Sequence, residues 1–441
     1  MTVSQHSSVS SSVASDFAGL ELGAPLLRAV AAAGFSEPRP IQIKTIPAAL
    51  AGRDVLGLAQ TGTGKTAAFA LPLLQRLLTE LRPGPRALIL APTRELVTQI
   101  DAEVRTLAKF TRLESVTVYG GVSARTQIVA LRRRPDILIA CPGRLLDLYQ
   151  QGALQLDRIE TLVLDEADHM FDMGFLPDIR RILAALPARR QNLLFSATMP
   201  GAIRGLADDI LRNPHVVELA HSTPAATIDH ALYPVAEEQK LDLLERLLGA
   251  ESCTSAIVFT RTKHRARRLA ERLSRVGHRA VSLQGNMSQG QRDRAMRGFR
   301  ERHFDVLVAT DIASRGIDVS QVSHVINFDV PTTPEAYTHR IGRTGRSEND
   351  GTACTFVTGQ DRAMVRAIEH TLKTRIPLCE VPGFTDRSTS DVRSRPHRPA
   401  ARENNFAASG QHHRRTSGGQ RGRETGGRDR AARQPRRSGP R

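Results

Sequence analysis

A glycine-rich octapeptide, Ala59-Gln60-Thr61-Gly62-Thr63-Gly64-Lys65-Thr66, stands between a short apolar run, Asp54–Leu58, and an apolar helical pattern continuing through Leu78. Few features constrain a fold as tightly. Glycines let backbone N–H groups turn inward around a phosphate, and a following helix N-terminus aims its free N–H groups at the same place. Strand, turn and helix must then follow one another directly, which opens a parallel α/β unit. In such a Walker A loop Lys65 reaches the β- and γ-phosphates of a nucleotide, the Thr66 hydroxyl faces Mg2+, and Thr61, Gly62, Thr63 and Gly64 line the phosphates. Ala59 stands where the strict pattern has glycine, a change tolerable at a strand end.

The rest of the chain repeats this alternation. Short β-branched runs end in polar or glycine-rich turns and alternate with helical patterns, the signature of parallel sheets. Strands are expected at Asp54–Leu58, Ala87–Leu90, Ser115–Tyr119, Asp136–Ala140, Thr161–Leu164 and Asn192–Phe195 in one half. In the other they are expected at Ala256–Phe259, Ala280–Leu283, Asp305–Ala309, His324–Phe328 and Thr352–Val357. Two prolines and little periodicity mark a linker between the halves. The expected division is an N-terminal segment 1–15, a nucleotide-binding α/β domain 16–213, a linker 214–226, a second α/β domain 227–384 and a tail 385–441.

Charge says where partners lie. The 441 residues carry 62 Lys+Arg against 45 Asp+Glu, a net +17 that favours polyanions. From Asp386 onward there are fifteen arginines, no lysine and five acids, so this short stretch holds ten of the seventeen net charges. It has one aromatic residue, Phe406, and cannot bury enough apolar surface to offset the entropy of ordering. Its Arg/Gly texture is that of nucleic-acid-binding tails, with a purely solubilising tail as the alternative. No apolar run reaches the roughly 18 residues of a membrane span, and the Ser-rich N-terminus lacks the order of a signal peptide. Cys141, Cys253, Cys354 and Cys379 form no CxxC pair, which excludes a disulfide framework and a zinc finger and points to the reducing cytoplasm.

About a hundred residues after the phosphate loop, Leu162-Val163-Leu164 delivers Asp165-Glu166-Ala167-Asp168 at a strand end. Phosphoryl transfer needs an acid to hold Mg2+ and a group to orient the attacking water. Asp165 suits the first role and Glu166 the second. Alone the tetrapeptide reads as an acidic turn; with Lys65 in the same α/β unit it reads as a Walker B site.

In this order the motifs resemble those of the DEAD-box RNA helicases of superfamily 2, from Phe17 to about Phe384. The resemblance implies two tandem RecA-like domains with parallel sheets, ATP and Mg2+ as cofactors, and RNA as partner. Phe17 and the stretch Gly34 to Gln42 are similar to the family's Q motif, which implies that Gln42 reads the adenine edge and Phe35 stacks on the ring. Pro92-Thr93-Arg94, Gly120-Gly121 and Pro142-Gly143-Arg144 resemble RNA contacts of the first lobe, with Cys141 replacing the usual threonine. Ser196-Ala197-Thr198 resembles the element coupling hydrolysis to strand separation. In the second half Arg261, Gln284, Gly285 and Arg292 resemble the RNA grip, with Asn286 for the customary aspartate. Thr310 through Asp318 resembles the segment linking RNA to ATP, with Thr310 toward the backbone, Arg315 in coupling and Asp318 toward the ribose. His339-Arg340-Ile341-Gly342-Arg343-Thr344-Gly345-Arg346 implies catalytic roles for His339, Arg343 and Arg346, the two arginines as fingers. The short basic tail is most similar to RhlE-like bacterial members, which implies ribosomal precursors or RNA-decay machinery as partners.

The resemblance implies catalysis only when the lobes close, with RNA favouring closure, so that hydrolysis depends on RNA by linkage. Contacts to the RNA backbone read no sequence. The leading reading is an ATP-dependent RNA helicase or ribonucleoprotein remodeller; an ATP-gated RNA clamp and a tail-driven RNA chaperone are the alternatives. Truncation after Phe384 should leave an RNA-dependent ATPase with weaker RNA binding. At about 0.7 per phosphate neutralised, engagement of half the tail's net charge should lower the salt slope by roughly 3 to 4 units upon truncation. Titrating labelled RNA with full-length and truncated protein at several salt concentrations measures this, and an unchanged slope would make the tail a solubility appendage.

Overall fold

The protein was analysed as a computed structural model, which describes residues 16–59, 62–80, 82–219, 228–311, 322–344 and 351–380. The N-terminal segment, Thr61, Arg315, Asp318, Arg346 and the basic tail therefore lie outside the described residues.

Two all-parallel sheets form the framework. The first contains β1 (Val55–Leu58), β2 (Ala87–Leu90), β3 (Ser115–Val118), β4 (Ile137–Ala140), β5 (Thr161–Leu164), β6 (Gln191–Ser196) and β7 (His215–Glu218), in the order β3-β4-β2-β5-β6-β1-β7. The second contains β8 (Ile228–Pro234), β9 (Ala256–Phe259), β10 (Ala280–Leu283), β11 (Val306–Ala309), β12 (His324–Asn327) and β13 (Gly351–Val357), in the order β10-β11-β9-β12-β13-β8.

The inner strands β2, β4, β5, β9 and β11 are buried at every position, which is why their runs are nearly continuous in apolar residues rather than alternating. Successive side chains still go to opposite cores. Ala87 and Ile89 of β2 join one cluster while Leu88 and Leu90 join the other. Ile257 and Phe259 of β9 face one cluster of the second sheet and Ala256 and Val258 the other.

The linker expected at 214–226 begins too early. His215–Glu218 is a strand in register with Val55–Leu58, so the first sheet extends past residue 213. Only Val217 of this edge strand is buried, so it offers no apolar run to read. Residues 220–226 lie outside the described residues. Asp54, expected within β1, instead sits just before it and accepts the backbone N–H groups of Asn192 at 2.8 Å and Arg212 at 2.8 Å. Its carboxylate thereby joins the starts of β1 and β6 to the segment entering β7.

Threonine hydroxyls start three of the helices that follow motif-bearing strands. Thr93 accepts from Leu96 N at 3.2 Å, Thr262 from Arg265 N at 3.2 Å and Thr333 from Ala336 N at 3.1 Å. Each satisfies an orphan N–H of the first helical turn.

β1 carries the phosphate loop, and its Gly57 packs against Phe195 of β6. A Cβ at Gly57 would lie 2.4 Å from Phe195 Cδ1, inside the core. Gly205, in the exposed middle of the helix Gly201–Ile210, has nothing within 4 Å of its would-be Cβ. Gly57→Ala should therefore destabilise the first lobe by about 1–3 kcal/mol through overpacking. Gly205→Ala should stabilise it by about 0.5–1 kcal/mol. Thermal unfolding of both variants checks the opposite signs, and equal shifts would show that Phe195 yields freely.

Candidate active site between the two sheets

Ligands of open parallel sheets bind beyond the carboxyl ends of the strands, and the sequence motifs gather there. β5, β6 and β1 are neighbours, so Asp165, Ser196 and the loop after Ala59 emerge side by side. The ladder continues past the strands, with Ala59 N donating to Ser196 O at 3.0 Å.

The phosphate loop turns through Gly62 (φ +84°) and Gly64 (φ +89°), left-handed conformations that favour glycine. Gly64 caps the helix Lys65–Thr79, whose first residue is Lys65 and second Thr66. Lys65 Nζ donates to Ala59 O at 3.1 Å and lies 3.7 Å from Asp165 Oδ1. Gln42 is fully buried beside this loop. Its Oε1 accepts Arg39 N at 2.8 Å and its Nε2 donates to Gly64 O at 3.1 Å. One N–H and one lone pair of the amide remain for a ligand. Phe35 is half-buried and meets Phe17 edge-on, ring centroids 6.1 Å apart.

Asp165, Glu166 and Asp168 are each about 3% exposed. Burial pushes the Asp165 carboxyl up to about 6, against the pull of Lys65 and with Glu166 and Asp168 adding repulsion. Burial also pushes on Glu166, but His169, Lys65 and Arg343 outweigh it and hold that carboxyl at about 2. Asp168 is likewise lowered: burial opposes, while His169, His339, Lys65 and the Thr198 hydroxyl prevail. Asp168 Oδ2 accepts from Ala197 N at 3.2 Å, Thr198 N at 2.9 Å and Thr198 Oγ1 at 2.9 Å. Ser196 Oγ accepts Asp168 N at 3.3 Å and donates to Thr198 O at 2.7 Å. Ser196 and Thr198 thus hold Asp168 directly.

The second sheet contributes from the helix Pro334–Ile341. Arg340, 3% exposed, donates to both carboxylate oxygens of Asp311 (2.5 and 2.8 Å), to Asn327 Oδ1 (3.0 Å) and to Asp329 O (2.7 Å). It ties the ends of β11 and β12 together and fixes the helix that carries His339. His339 Nδ1 lies 2.9 Å from His169 Nε2, and His339 Nε2 lies 3.9 Å from Asp168 Oδ2. Arg343 is buried near Glu166. Arg340 stands inside a sequence motif but with no expected role, and His169 stands outside every motif. His169 becomes visible only once a helix over Ala167–Asp172 places it three residues from Glu166 on one face.

Of the residues expected to grip RNA, Arg94 and Arg292 bridge the two lobes. Arg94 Nη1 donates to Gln289 Oε1 at 3.2 Å, and Arg292 Nε to Glu95 Oε1 at 2.7 Å. Gly121 (φ +79°) leaves room for Arg94, whose Nη1 would lie 2.0 Å from a Cβ there. Pro92 and Thr93 are buried, and the Thr93 hydroxyl caps a helix. Pro142 and Gly143 open the helix Pro142–Gln150, and Arg144 Nη1 donates to Val122 O at 3.1 Å. Gln284 is buried, Gly285 and Arg261 are exposed, and Thr310 is half-buried at the end of β11. Lys263 Nζ donates to Asn286 Oδ1 at 3.0 Å. Cys141 is buried and its thiol is pushed up to about 12 by burial and by Glu95, against the pull of Arg94, so it is not a nucleophile at neutral pH. No helix among the described residues is long and apolar enough to cross a membrane.

Comparisons with known proteins agree with this geometry. Residues 39–205 match the DEAD/DEAH box helicase family and residues 239–348 the helicase conserved C-terminal domain. A DEAD-box ATP-dependent RNA helicase CshA from Bacillus licheniformis is 45% identical over 367 residues, 83% of this chain and 75% of that protein. This relative is a CshA, so it lends the suggested RhlE-like subgroup no support. S. cerevisiae Dbp5 bound to RNA and ADP BeF3 is 34% identical, with a TM-score of 0.74 over 86% of this chain and 98% of that one. Mss116p bound to ssRNA and AMP-PNP is 28% identical, with a TM-score of 0.73 over 82% of this chain and 78% of that one. Matches spanning both sheets, and a relative this similar along most of both chains, place the protein in the DEAD-box family of ATP-dependent RNA helicases, as an RNA-dependent ATPase with two RecA-like lobes.

Proposed function

We propose that ATP is hydrolysed where the end of β5 meets the helix Pro334–Ile341, and that closure of the two lobes on RNA completes the site. The observation that carries this reading is that one buried acidic cluster is compensated from both lobes, by Lys65 from the first and by Arg343 from the second. In this reading Gly62, Thr63, Gly64 and the helix N-terminus cradle the phosphates, with Thr61 completing the loop. Lys65 then moves from the Asp165 carboxylate toward the β- and γ-phosphates. Glu166, ionised at neutral pH, orients the attacking water and accepts its proton. Arg343 and Arg346 stabilise charge on the transferred phosphoryl group, a contribution of about 10³–10⁵ in rate in related NTPases.

Asp165 and Thr66 suit Mg2+. A buried carboxyl raised by desolvation gains from a hard cation, and Thr66 stands half-buried in the first turn beside Lys65. Asp165 and Thr66 would hold the ion together with phosphate oxygens and water. The ion would neutralise charge on the β- and γ-phosphate oxygens when bound.

Adenine is read by Gln42 and stacked by Phe35, and the ribose is held by Asp318. RNA lies across Pro92, Thr93, Arg94, Gly121, Pro142, Gly143 and Arg144 of one lobe and Arg261, Gln284, Gly285, Arg292 and Thr310 of the other. Asp168, Ser196, Thr198 and Arg315 couple the sites, because a shift of Asp168 moves the backbone at 197–198. Hydrolysis and phosphate release remove the charge that drew Arg343, the lobes reopen and the strand is released. A cytoplasmic location suits the four free cysteines. The short basic tail directs the search for substrates to ribosomal precursors and RNA under decay.

Glu166→Gln should preserve nucleotide and RNA binding while lowering RNA-stimulated hydrolysis by about 10²–10⁴-fold, the range of general-base catalysis. Single-turnover phosphate release measures it, and undiminished turnover would refute the role of Glu166. ATP should be preferred over GTP, because guanine presents acceptors where adenine offers one donor and one acceptor. The mismatch at Gln42 costs on the order of 1–3 kcal/mol, about ten- to hundredfold in kcat/KM. Equal unwinding of a labelled duplex with GTP and ATP would overturn this assignment.

A further inference from the structure

We propose that His169 is a positioning residue that transmits lobe closure to Glu166: it holds the Glu166 carboxylate with one ring nitrogen and is itself held by His339 of the second lobe with the other. The inference rests on the assignment of Glu166 above. His169 Nδ1 lies 2.9 Å from Glu166 Oε2, and His169 Nε2 lies 2.9 Å from His339 Nδ1. The two rings stand nearly perpendicular, 81°, with centroids 4.3 Å apart.

The proton positions follow from the partners. An ionised carboxylate only accepts, so His169 Nδ1 must carry the hydrogen. His169 Nε2 and His339 Nδ1 lie at hydrogen-bonding distance, so one of the two nitrogens carries the hydrogen that joins them. His339 Nε2 is buried without a hydrogen-bond partner. Burial above all holds His339 down to about 3, against the pull of Asp168, in keeping with a neutral His339 ring. Two hydrogen bonds therefore link His339 to Glu166 through the His169 ring. The other charged groups around the pair are Asp165, Asp168 and Lys65 from the first lobe and Arg343 from the second.

The geometry explains why a closed second lobe matters to a carboxylate of the first. Glu166 lies before the short helix that carries His169, so without His339 the imidazole has only one anchor. A carboxylate free to turn loses the alignment of the water it serves, and a misplacement of about 1 Å costs on the order of 10²-fold in rate. Closure thus orients the base as well as bringing the arginines.

Steady-state ATPase assays of the full chain at saturating RNA test the proposal. His169→Ala should lower kcat by about 10²-fold with KM for ATP changed less than about twofold, because nothing that binds the nucleotide is removed. His169→Asn, whose amide falls near the Nδ1 position, should recover about tenfold of that loss by holding Glu166 again. His169→Gln, whose amide falls near Nε2, should not. His169→Ala combined with His339→Ala should be little worse than the more damaging single change, since the two act through one chain. A His169→Ala kcat within about threefold of the parent, a loss expressed in KM, or Asn no better than Gln would each overturn it. If the alanine variant fails to fold, the Asn and Gln comparison still decides. Glu166→Gln is run in parallel. Its continued hydrolysis would defeat the site assignment itself, whereas an inactive Glu166→Gln beside unaffected His169 variants would defeat this inference alone.

Discussion

Three carboxylates within four residues are buried at the end of β5, and the surrounding architecture compensates them. Taking a charge out of water costs several kcal/mol per ion unless partners replace the hydration. Lys65 answers Asp165, His169 answers Glu166, and the backbone at 197–198 answers Asp168. The remainder comes from the second lobe, through Arg343. Separated lobes would leave this cluster to water, so lobe approach and burial of negative charge are one event. A ligand that favours approach, such as RNA held by both lobes, changes the electrostatics of the hydrolytic centre without touching it.

The same economy governs the second lobe. Within His339-Arg340-Ile341-Gly342-Arg343, Arg340 faces inward to Asp311, Asn327 and the Asp329 carbonyl, while His339 and Arg343 face the first lobe. The inward arginine keeps the outward pair in place. On the opposite side of the cleft, Arg94 with Gln289 and Arg292 with Glu95 make reciprocal contacts, each lobe donating once and accepting once.

Much of this was legible in the sequence where burial is complete. Ala87–Leu90, Thr161–Leu164 and Ala256–Phe259 coincide with the expected strands, because a strand buried on both faces has a nearly uninterrupted apolar run. β7 and β8 escaped for the opposite reason. His215–Glu218 buries one residue, and Ile228–Pro234 carries Asp229, His230 and a terminal proline, features that argue against a strand when tertiary pairing is unknown. Motif residues on strand ends were found because their spacing is local. The roles of Arg340 and His169 were not, since Asp311 lies 29 residues from the one and His339 lies 170 from the other, and no periodicity announces either pairing.

Glu166 has a backbone φ of +53°, left-handed in a residue that is neither glycine nor asparagine. The turn starts the helix Ala167–Asp172 at once after β5 and swings the carboxylate back toward His169. A side chain in that conformation costs about 1 kcal/mol, which glycine would not incur. The position is therefore a point of conflict between robustness and turnover. Laboratory evolution that rewarded heat resistance alone would drift toward glycine here and silence the enzyme, so any such campaign must keep catalysis under selection.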